Sequence, residues 1–514
     1  MARVRELIPA LYLCCLAAFS AWVAGSSWAT VTGYRTAYAL DRQFEAGPAL
    51  ADRVVLVVLD GLRTDRVAEL PAMRSLAGRG ASGTIRVVLP SLSNPARAAL
   101  VTGAWPEVSG VTNNSAFEPP PIQSLFSLSR QRGIESAVIG TGFWLRAFGE
   151  QIDAIHAFAG PPESMEPGDL IAWQTQACDE ALERLGASSA GLRVVGLLAG
   201  DDAGHEYGGE SDSYRDVTTA VDRCLGRLVD SLAHDATFVA VSDHGHVDRW
   251  GHGGHGGEEP EVLHAPFAMA GQGVRRADPF DAELVDIAPT LSVLLGLPIP
   301  ANSQGRILWD ALEEPAGTGV RLRELESAQR DALAAHMPDR AASLAALKAG
   351  RLPVSLVAAG WFLGLVLAVG RTRRLSAYLM ATAAFAAVYW LCFYAFQLGY
   401  SLSAIVRQEF LYSFFARNLL AAALATGAAS YCLERLAMPD RASVARLAVI
   451  LTSGFALMVT YTYYRHGLWM EGWMIEIGPG FKAYMDMLAI CGIVAGALLF
   501  LGFRTLSSRK GAAA

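Results

Sequence analysis

The placement of apolar residues constrains this chain more than any single motif. One long apolar stretch runs from Ile8 to about Val31, and five more lie at about 353–370, 375–400, 410–432, 444–464 and 483–503. A helix of roughly 20 apolar residues is long enough to cross a bilayer. A cleaved signal peptide is the alternative for the first stretch, and it needs small residues ahead of a cleavage point. Its length favours a retained anchor. With 514 residues, 52% of them hydrophobic, the chain is too long for one compact domain. The expected organisation is an anchor helix and linker over 1–51, a hydrophilic domain over 52–317, a helical connector over 318–352, and a five-helix transmembrane domain over 353–514. The connector is rich in Ala, Leu, Arg and Glu, which reads most simply as a solvated linker helix.

Basic residues give this arrangement a direction. Arg3 and Arg5 precede the first stretch; Arg371, Arg373 and Arg374 follow the second; Arg435, Arg441 and Arg446 follow the fourth; Arg504, Arg509 and Lys510 follow the last. If all six stretches span, every cluster falls on one side. The positive-inside rule then places both termini in the cytoplasm and the central domain outside. Trp469 and Trp473 lie in a segment on that outer side, where a membrane interface suits them. The one N-x-S/T pattern, Asn113-Asn114-Ser115, lies beside the candidate site described below, where a glycan would obstruct it. A bacterial cytoplasmic (inner) membrane, with the domain in the periplasm or outside the cell, fits better than a eukaryotic secretory one.

Charge and cysteines exclude some functions. A net charge of −7 offers no broad basic surface, which argues against a nucleic-acid partner. The spans carry few charges, which disfavours ion-coupled transport. Cys14, Cys15, Cys392, Cys432 and Cys491 sit in or beside apolar stretches, while Cys178 and Cys224 sit in the hydrophilic centre as either a disulfide or two buried thiols.

From Arg53 to about Pro300 short β-branched runs (Val54–Leu59, Val194–Leu198, Phe238–Val241) alternate with helical stretches (Thr175–Leu185, Val217–Leu232). That pattern predicts an α/β fold with a mixed or largely parallel sheet between helices. Three carboxylates lie just beyond three of these strands: Asp60, Asp201 and Asp243. Open α/β sheets gather ligands at the carboxyl ends of their strands, so the three can converge. His205 lies four residues after Asp201, His244 directly follows Asp243, and His252 and His255 sit on the glycine-rich run GHGGHGG. Mixed Asp and His donors suit zinc, or manganese, better than calcium. Ser93, in PSLSNPARAALVTG, opens a helix whose N-terminus would favour a phosphate, and a bound metal would bring its hydroxyl within reach of deprotonation.

VVLVVLDGLRTD, SNPARAALVTG, DDAGHEYG, SDHGH and GGHGG, in that order, resemble the successive motifs of the alkaline phosphatase superfamily over about 52–310. Within it the chain is most similar to the type I phosphodiesterases, or nucleotide pyrophosphatases. That resemblance implies Ser93, rather than Ser91, as nucleophile and Asn114 as a binder of phosphoryl oxygens. It implies one metal on Asp60, Ser93, Asp243 and His244, and a second on Asp201, His205 and His255, with His252 as the alternative for the last position. Arg97, one turn beyond Ser93, either orients a phosphate oxygen or packs at the helix start. DIAPTLSVLLGLPIPANSQG and the layout of anchor, domain and bundle resemble the ethanolamine-phosphate transferases of glycolipid-anchor synthesis. These resemblances imply a two-metal phosphodiesterase or phosphotransferase acting on a lipid or lipid-linked phosphodiester, with no implication for oligomeric state. The five extra spans suit presentation of such a substrate at the membrane surface. SNPARAALVTG also resembles the sulfatase signature, with Ser where Cys is often found, and a sulfuric ester hydrolase is therefore a competing expectation. A non-catalytic membrane receptor or assembly protein is the third.

Overall fold

The computed structural model describes residues 2–115, 118–314, 318–370, 374–407, 410–436, 438 and 440–511. The chain divides into two units, Thr32–Asp339 and Met1–Val31 together with Arg340–Ala514. Arg371 and Arg373 lie outside the described residues.

The first unit is built on eight strands: β1 (Val54–Leu59), β2 (Ala81–Arg86), β3 (Ser136–Gly140), β4 (Ala154–Ala157), β5 (Leu192–Leu197), β6 (Thr237–Ser242), β7 (His264–Ala270) and β8 (Phe280–Glu283). Their order across the sheet is β4-β3-β5-β1-β6-β7-β2-β8. Only β7 runs antiparallel to its neighbours, β6 and β2. The sheet is thus mixed and mostly parallel, as the alternation of strands and helices predicts.

The run VVLVVL lacks the alternation of a half-exposed strand because both of its faces are buried. Val54, Leu56 and Val58 join one core with Val194, Val239 and Val241. Val55, Val57 and Leu59 join the other with Val195, Phe238 and Ala240. β1 is paired in register with β5 on one side (Leu59 opposite Leu197) and β6 on the other (Leu59 opposite Ser242). The chain therefore leaves all three central strands at one level, and that level carries the functional groups. On one flank, Cys178 and Cys224 form a disulfide between the helices Pro167–Gly186 and Asp212–Leu232. A pairing of this kind suits an oxidising compartment.

The segment expected to be a solvated linker is different. The helix Gly319–His336 buries Leu322 and Leu333 within the first unit. The buried carboxylate of Glu326 accepts hydrogen bonds from Ile307 N (3.1 Å) and Trp309 Nε1 (2.8 Å). Gln329 donates to the carbonyls of Ala301 (3.0 Å) and Ser303 (2.8 Å). The inward positions 322, 326, 329 and 333 follow a helical stripe, but two of them are polar, and that hides the stripe in composition.

Among the described residues the second unit holds six long helices: Ala2–Thr32, Arg340–Gly370, Leu375–Ala395, Leu411–Arg435, Arg441–His466 and Ile477–Gly511. Among the described residues, five stretches are long and apolar enough to cross a membrane, so the protein is multi-pass. Leu411–Arg435 is not one of the five, although six spans are expected from the sequence. Arg417 and Asn418 sit near its start and lower its hydropathy. Inside the bundle Asn418 is satisfied: it accepts from Tyr389 Oη (2.9 Å) and donates to Met485 O (2.9 Å). This helix packs against Leu375–Ala395 and Ile477–Gly511. A Cβ at Gly492 or Gly496 would come within 2.5 Å of Leu419 O or 2.4 Å of Ala423 O. The spacing of these two small residues lets the two backbones meet, as in other membrane helix pairs.

Candidate active site

Asp60 is the first residue after β1, Asp243 and His244 follow β6, and Asp201 lies on the helix Ala199–Tyr207 that follows β5. On that helix Asp201 and His205 are four residues apart and so share a face. Their Oδ1 and Nε2 atoms are 3.5 Å apart. Zinc holds N and O donors at about 2.0–2.1 Å in a tetrahedron, so neighbouring ligand atoms lie roughly 3.3 Å from one another.

Two groups of donors meet this spacing. In the first, His244 Nε2 is 3.1 Å from Ser93 Oγ, 3.5 Å from Asp60 Oδ1 and 3.9 Å from Asp243 Oδ1. In the second, His255 Nε2 is 3.2 Å from His205 Nε2 and 3.5 Å from Asp201 Oδ1. The donor atoms of Asp60, Asp243 and His244 lie within the span that one ion can bridge, and Asp201 forms two further such clusters, one with His205 and His246 and one with His244 and His255. His252 stays outside, its Nδ1 donating to Glu206 O at 2.8 Å.

The surroundings fit cations. Asp60 and Asp243 are buried, and among the described residues Asp60 Oδ1 and Asp243 Oδ2 have no hydrogen-bond partner, the Arg97 guanidinium staying 3.6 Å from the latter. His255 donates from Nδ1 to Ser91 O (2.9 Å), and His244 donates from Nδ1 to Gly245 O (3.2 Å). In both rings the proton is thereby held on Nδ1, and Nε2 is left bare to face the cluster. Ser91, the hydroxyl nearest Ser93 in sequence, is committed elsewhere. Its Oγ donates to Gly257 O (2.8 Å) and accepts from Gly256 N (3.0 Å), which pins the His255 loop to the nucleophile segment.

Electrostatics point the same way. Burial pushes the Asp60 carboxyl well above its usual range; Arg97 opposes the rise, while Asp243 and Asp201 add to it. Burial likewise lifts Asp243 to about 6. For Asp201, the burial penalty is outweighed by His205, His246 and His255, which hold it well below the usual range. Burial first, and then neighbouring imidazoles, keep His244 far below its ordinary value. Burial holds His255 down at about 4. A metal requires the carboxylate and the bare imidazole together. Falling pH therefore protonates Asp243 below about 6, while His255 stays neutral until about 4. Zinc affinity, measured by competition with a chelator, should weaken by at least about tenfold per pH unit below about 6, since the raised Asp60 carboxyl takes up a proton as well as Asp243.

Arg97 is buried. Its guanidinium bonds Asp60 Oδ2, lies 3.6 Å from Asp243 Oδ2, and reaches Thr141 Oγ1 at 3.4 Å. Asn114 accepts the Asn94 N–H on Oδ1 (3.0 Å), so only its Nδ2 hydrogens can be offered to a phosphoryl oxygen. This pairing corrects one expectation. The N-terminus of the helix Ser93–Thr102 has few donors left for a phosphate: Asn94 N is bonded to Asn114, Pro95 has no N–H, and Ala96 N is bonded to Leu92 O.

The sequence reading missed His246. Its Nε2 donates to Asp201 Oδ1 at 2.9 Å, and among the described residues its Nδ1 has no hydrogen-bond partner. The proton is therefore on Nε2, the reverse of His244 and His255, and the ring acts on Asp201 as a donor. Two glycines make room for it. Gly61, at φ 71°, would bring a Cβ within 2.8 Å of His246 Nε2, and one at Gly204 would come within 2.5 Å of its Cδ2. The only signal in the sequence is the second His of SDHGH, two residues past the first. His246→Ala should lower zinc affinity about 10- to 100-fold, the usual cost of losing a ligand's supporting hydrogen bond, and titration of the metal-free protein checks it.

A sequence model of the type I phosphodiesterase / nucleotide pyrophosphatase family matches residues 54–252. Among curated proteins, the mouse (Mus musculus) GPI ethanolamine phosphate transferase 1 is 27% identical over 312 residues, 51% of this chain and 33% of the relative. The human (Homo sapiens) GPI ethanolamine phosphate transferase 2, catalytic subunit, is 25% identical, over 55% of this chain and 30% of the relative. The chain thus spans about a third of the length of these relatives. Among solved structures, murine ectonucleotide pyrophosphatase / phosphodiesterase 5 is similar over 48% of this chain and 96% of its own, with 15% identity and a TM-score of 0.42. The sequence matches bear out both resemblances, to type I phosphodiesterases and to ethanolamine-phosphate transferases.

Proposed function

We propose that this chain is a membrane-bound, metal-dependent phosphodiesterase or phosphotransferase. In this reading Ser93 is the nucleophile, and a phospho-head group such as phosphoethanolamine is moved to or from a lipid or lipid-linked glycan. The observation that carries it is Ser93 Oγ, 3.1 Å from His244 Nε2 on one donor group, with a second donor group around Asp201 Oδ1. The relatives' names supply the head group.

Two divalent cations held by Asp60, Ser93, Asp243 and His244, and by Asp201, His205 and His255, would supply the charge that makes an alkoxide accessible and neutralises phosphoryl oxygens. Zinc fits the Asp and His donors best, with manganese second. Ser93 Oγ attacks phosphorus, the Oγ–P bond forms, and the bond to the departing alcohol breaks, leaving the head group on Ser93. A second attack, by an acceptor hydroxyl or by water, frees Ser93 and completes transfer or hydrolysis. Asn114 Nδ2 orients a phosphoryl oxygen. Arg97, tied to Asp60 and Asp243, fixes the carboxylates that face the cations. Most of the rate comes from positioning and electrostatics, as in phosphoryl transfer generally.

The location we infer is a cytoplasmic membrane, with both termini inside and the metal site outside. The basic clusters of the sequence and the Cys178–Cys224 disulfide support it. Of the competing readings, a sulfatase would make no use of the Asp201 donor group, and a receptor would need none of these donors.

A substrate panel on the detergent-purified protein separates the readings. Expected are about two zinc ions per chain, cleavage of phosphodiesters including phosphatidylethanolamine, and a changed product when a lipid-linked hydroxyl is added. Turnover of a sulfate ester with one calcium and a formylglycine at position 93 would overturn the proposal.

A further inference from the structure

The second unit carries a cavity of about 290 Å³ that no step above uses. Four helices line it: Ala2–Thr32, Arg340–Gly370, Arg441–His466 and Ile477–Gly511. Each belongs to a stretch long and apolar enough to cross a membrane. Two packed clusters mark its ends. Leu16, Ala456 and Phe362 meet at one end; Val23, Tyr463, Leu468 and Trp469 meet at the other. Leu16 and Val23 are seven residues apart, as are Ala456 and Tyr463, so the lining runs about 10 Å along the helices. Leu468 and Trp469 directly follow the helix Arg441–His466, which puts their end at the membrane boundary. The cavity thus fits within one leaflet of a hydrocarbon core roughly 30 Å thick. On the orientation inferred above, it is the outer leaflet.

The lining suits hydrocarbon. Ser355 Oγ donates to Arg351 O (2.9 Å) and Thr460 Oγ1 to Ala456 O (2.7 Å), so both hydroxyls are turned back onto their own helices. Trp469 Nε1 donates to Ser26 Oγ (3.1 Å). The wall is open at the side: Phe19 and Val354, both in the lining, are 59% and 60% exposed. A partner helix, about 10 Å across with its side chains, is too wide for this volume; a single acyl chain is not. Two cations stand beside the boundary end. Arg351 Cζ lies 6.0 Å from the centre of the Tyr463 ring, and Lys348 Nζ lies 5.3 Å from that of Tyr464. A Cβ at Gly467, next to Leu468, would come within 2.6 Å of Arg351 Nη2. Arg351 is buried; its Nη2 bonds Glu471, and among the described residues its Nε has no hydrogen-bond partner. Basic groups between membrane helices at this level receive lipid phosphates through charge-assisted hydrogen bonds.

We propose that this cavity is a phospholipid-binding site, with one acyl chain between the four helices and the phosphate at Arg351 and Lys348. The site is independent of the chemistry at Ser93.

A phosphatidylcholine carrying a diazirine on its acyl tail tests it on the full chain in detergent. Photolysis should place saturable adducts on the peptides spanning residues 354–362 and 456–463. Unlabelled dioleoyl phosphatidylcholine should displace the probe at about tenfold lower concentration than dioleoylglycerol, which has the same chains and no phosphate. The double variant Lys348→Gln/Arg351→Gln should bring the two concentrations together. Ala358→Trp and Val459→Trp fill the cavity from different helices, and each should abolish the adducts. Adducts that persist undiminished in both tryptophan variants, or that spread over the bundle without saturating, would overturn the site. Equal displacement of the wild-type probe by the two lipids would overturn the placement of the phosphate.

Discussion

Ser93→Ala should retain its metal and lose its activity. The substitution removes one oxygen, 3.1 Å from His244 Nε2, and leaves Asp60, Asp243, His244, Asp201, His205 and His255 in place. Two zinc ions per chain should therefore still bind, with only the first group short of a donor. Turnover of any phosphodiester should fall by about 10³-fold or more, since neither half-reaction of a double displacement can start without the nucleophile. The two readings must be taken on the same sample. Ser91→Ala is the informative companion. Its hydroxyl serves the His255 loop through Gly256 and Gly257, so a partial loss of metal affinity is expected there instead of loss of the nucleophile.

Asp201→Ala should have the second large effect, and through a different route. Asp201 Oδ1 is a hub: His246 Nε2 lies at 2.9 Å, His205 and His255 Nε2 each at 3.5 Å, and His244 Nε2 at 3.9 Å. Without it four imidazoles face one another with no anion between them. One of the two zinc equivalents should weaken by at least about 100-fold. Activity should fall by about 10³-fold, as the charge stabilisation a metal supplies is worth several kcal/mol. Metal titration beside kinetics distinguishes this outcome from that of Ser93→Ala. A variant that keeps both zinc equivalents at full affinity would exclude Asp201 from the second donor group.

The convergence of Asp60, Asp201 and Asp243 is legible in the sequence because each sits just past a β-branched run, and parallel strands deliver such residues to one edge. The two buried faces of the sheet are likewise written in the unbroken apolarity of VVLVVL. Other features are not legible, for physical reasons. Arg97 bonds carboxylates 37 and 146 residues away in the chain, and local spacing cannot choose between a phosphate and such partners. The proton position on His246 is set by the lack, among the described residues, of any partner at Nδ1, a fact of packing that no motif encodes. The helix Gly319–His336 reads as solvated because Glu326 and Gln329 are counted as surface residues, yet both are buried against backbone groups of the α/β unit. Leu411–Arg435 shows the reverse: apolar residues suggest a span, and Arg417 and Asn418 belong to its packing inside the bundle.

The most direct test is to catch the head group on Ser93. Zinc-loaded protein is mixed with phosphatidylethanolamine, quenched in acid during turnover, digested and analysed by mass spectrometry. The peptide containing Ser93 should carry a phosphoethanolamine adduct on that residue, absent from Ser93→Ala and cleared when an acceptor is supplied before the quench. Sustained turnover with Ser93 unmodified at every time point, or an adduct on a different residue, would contradict the account.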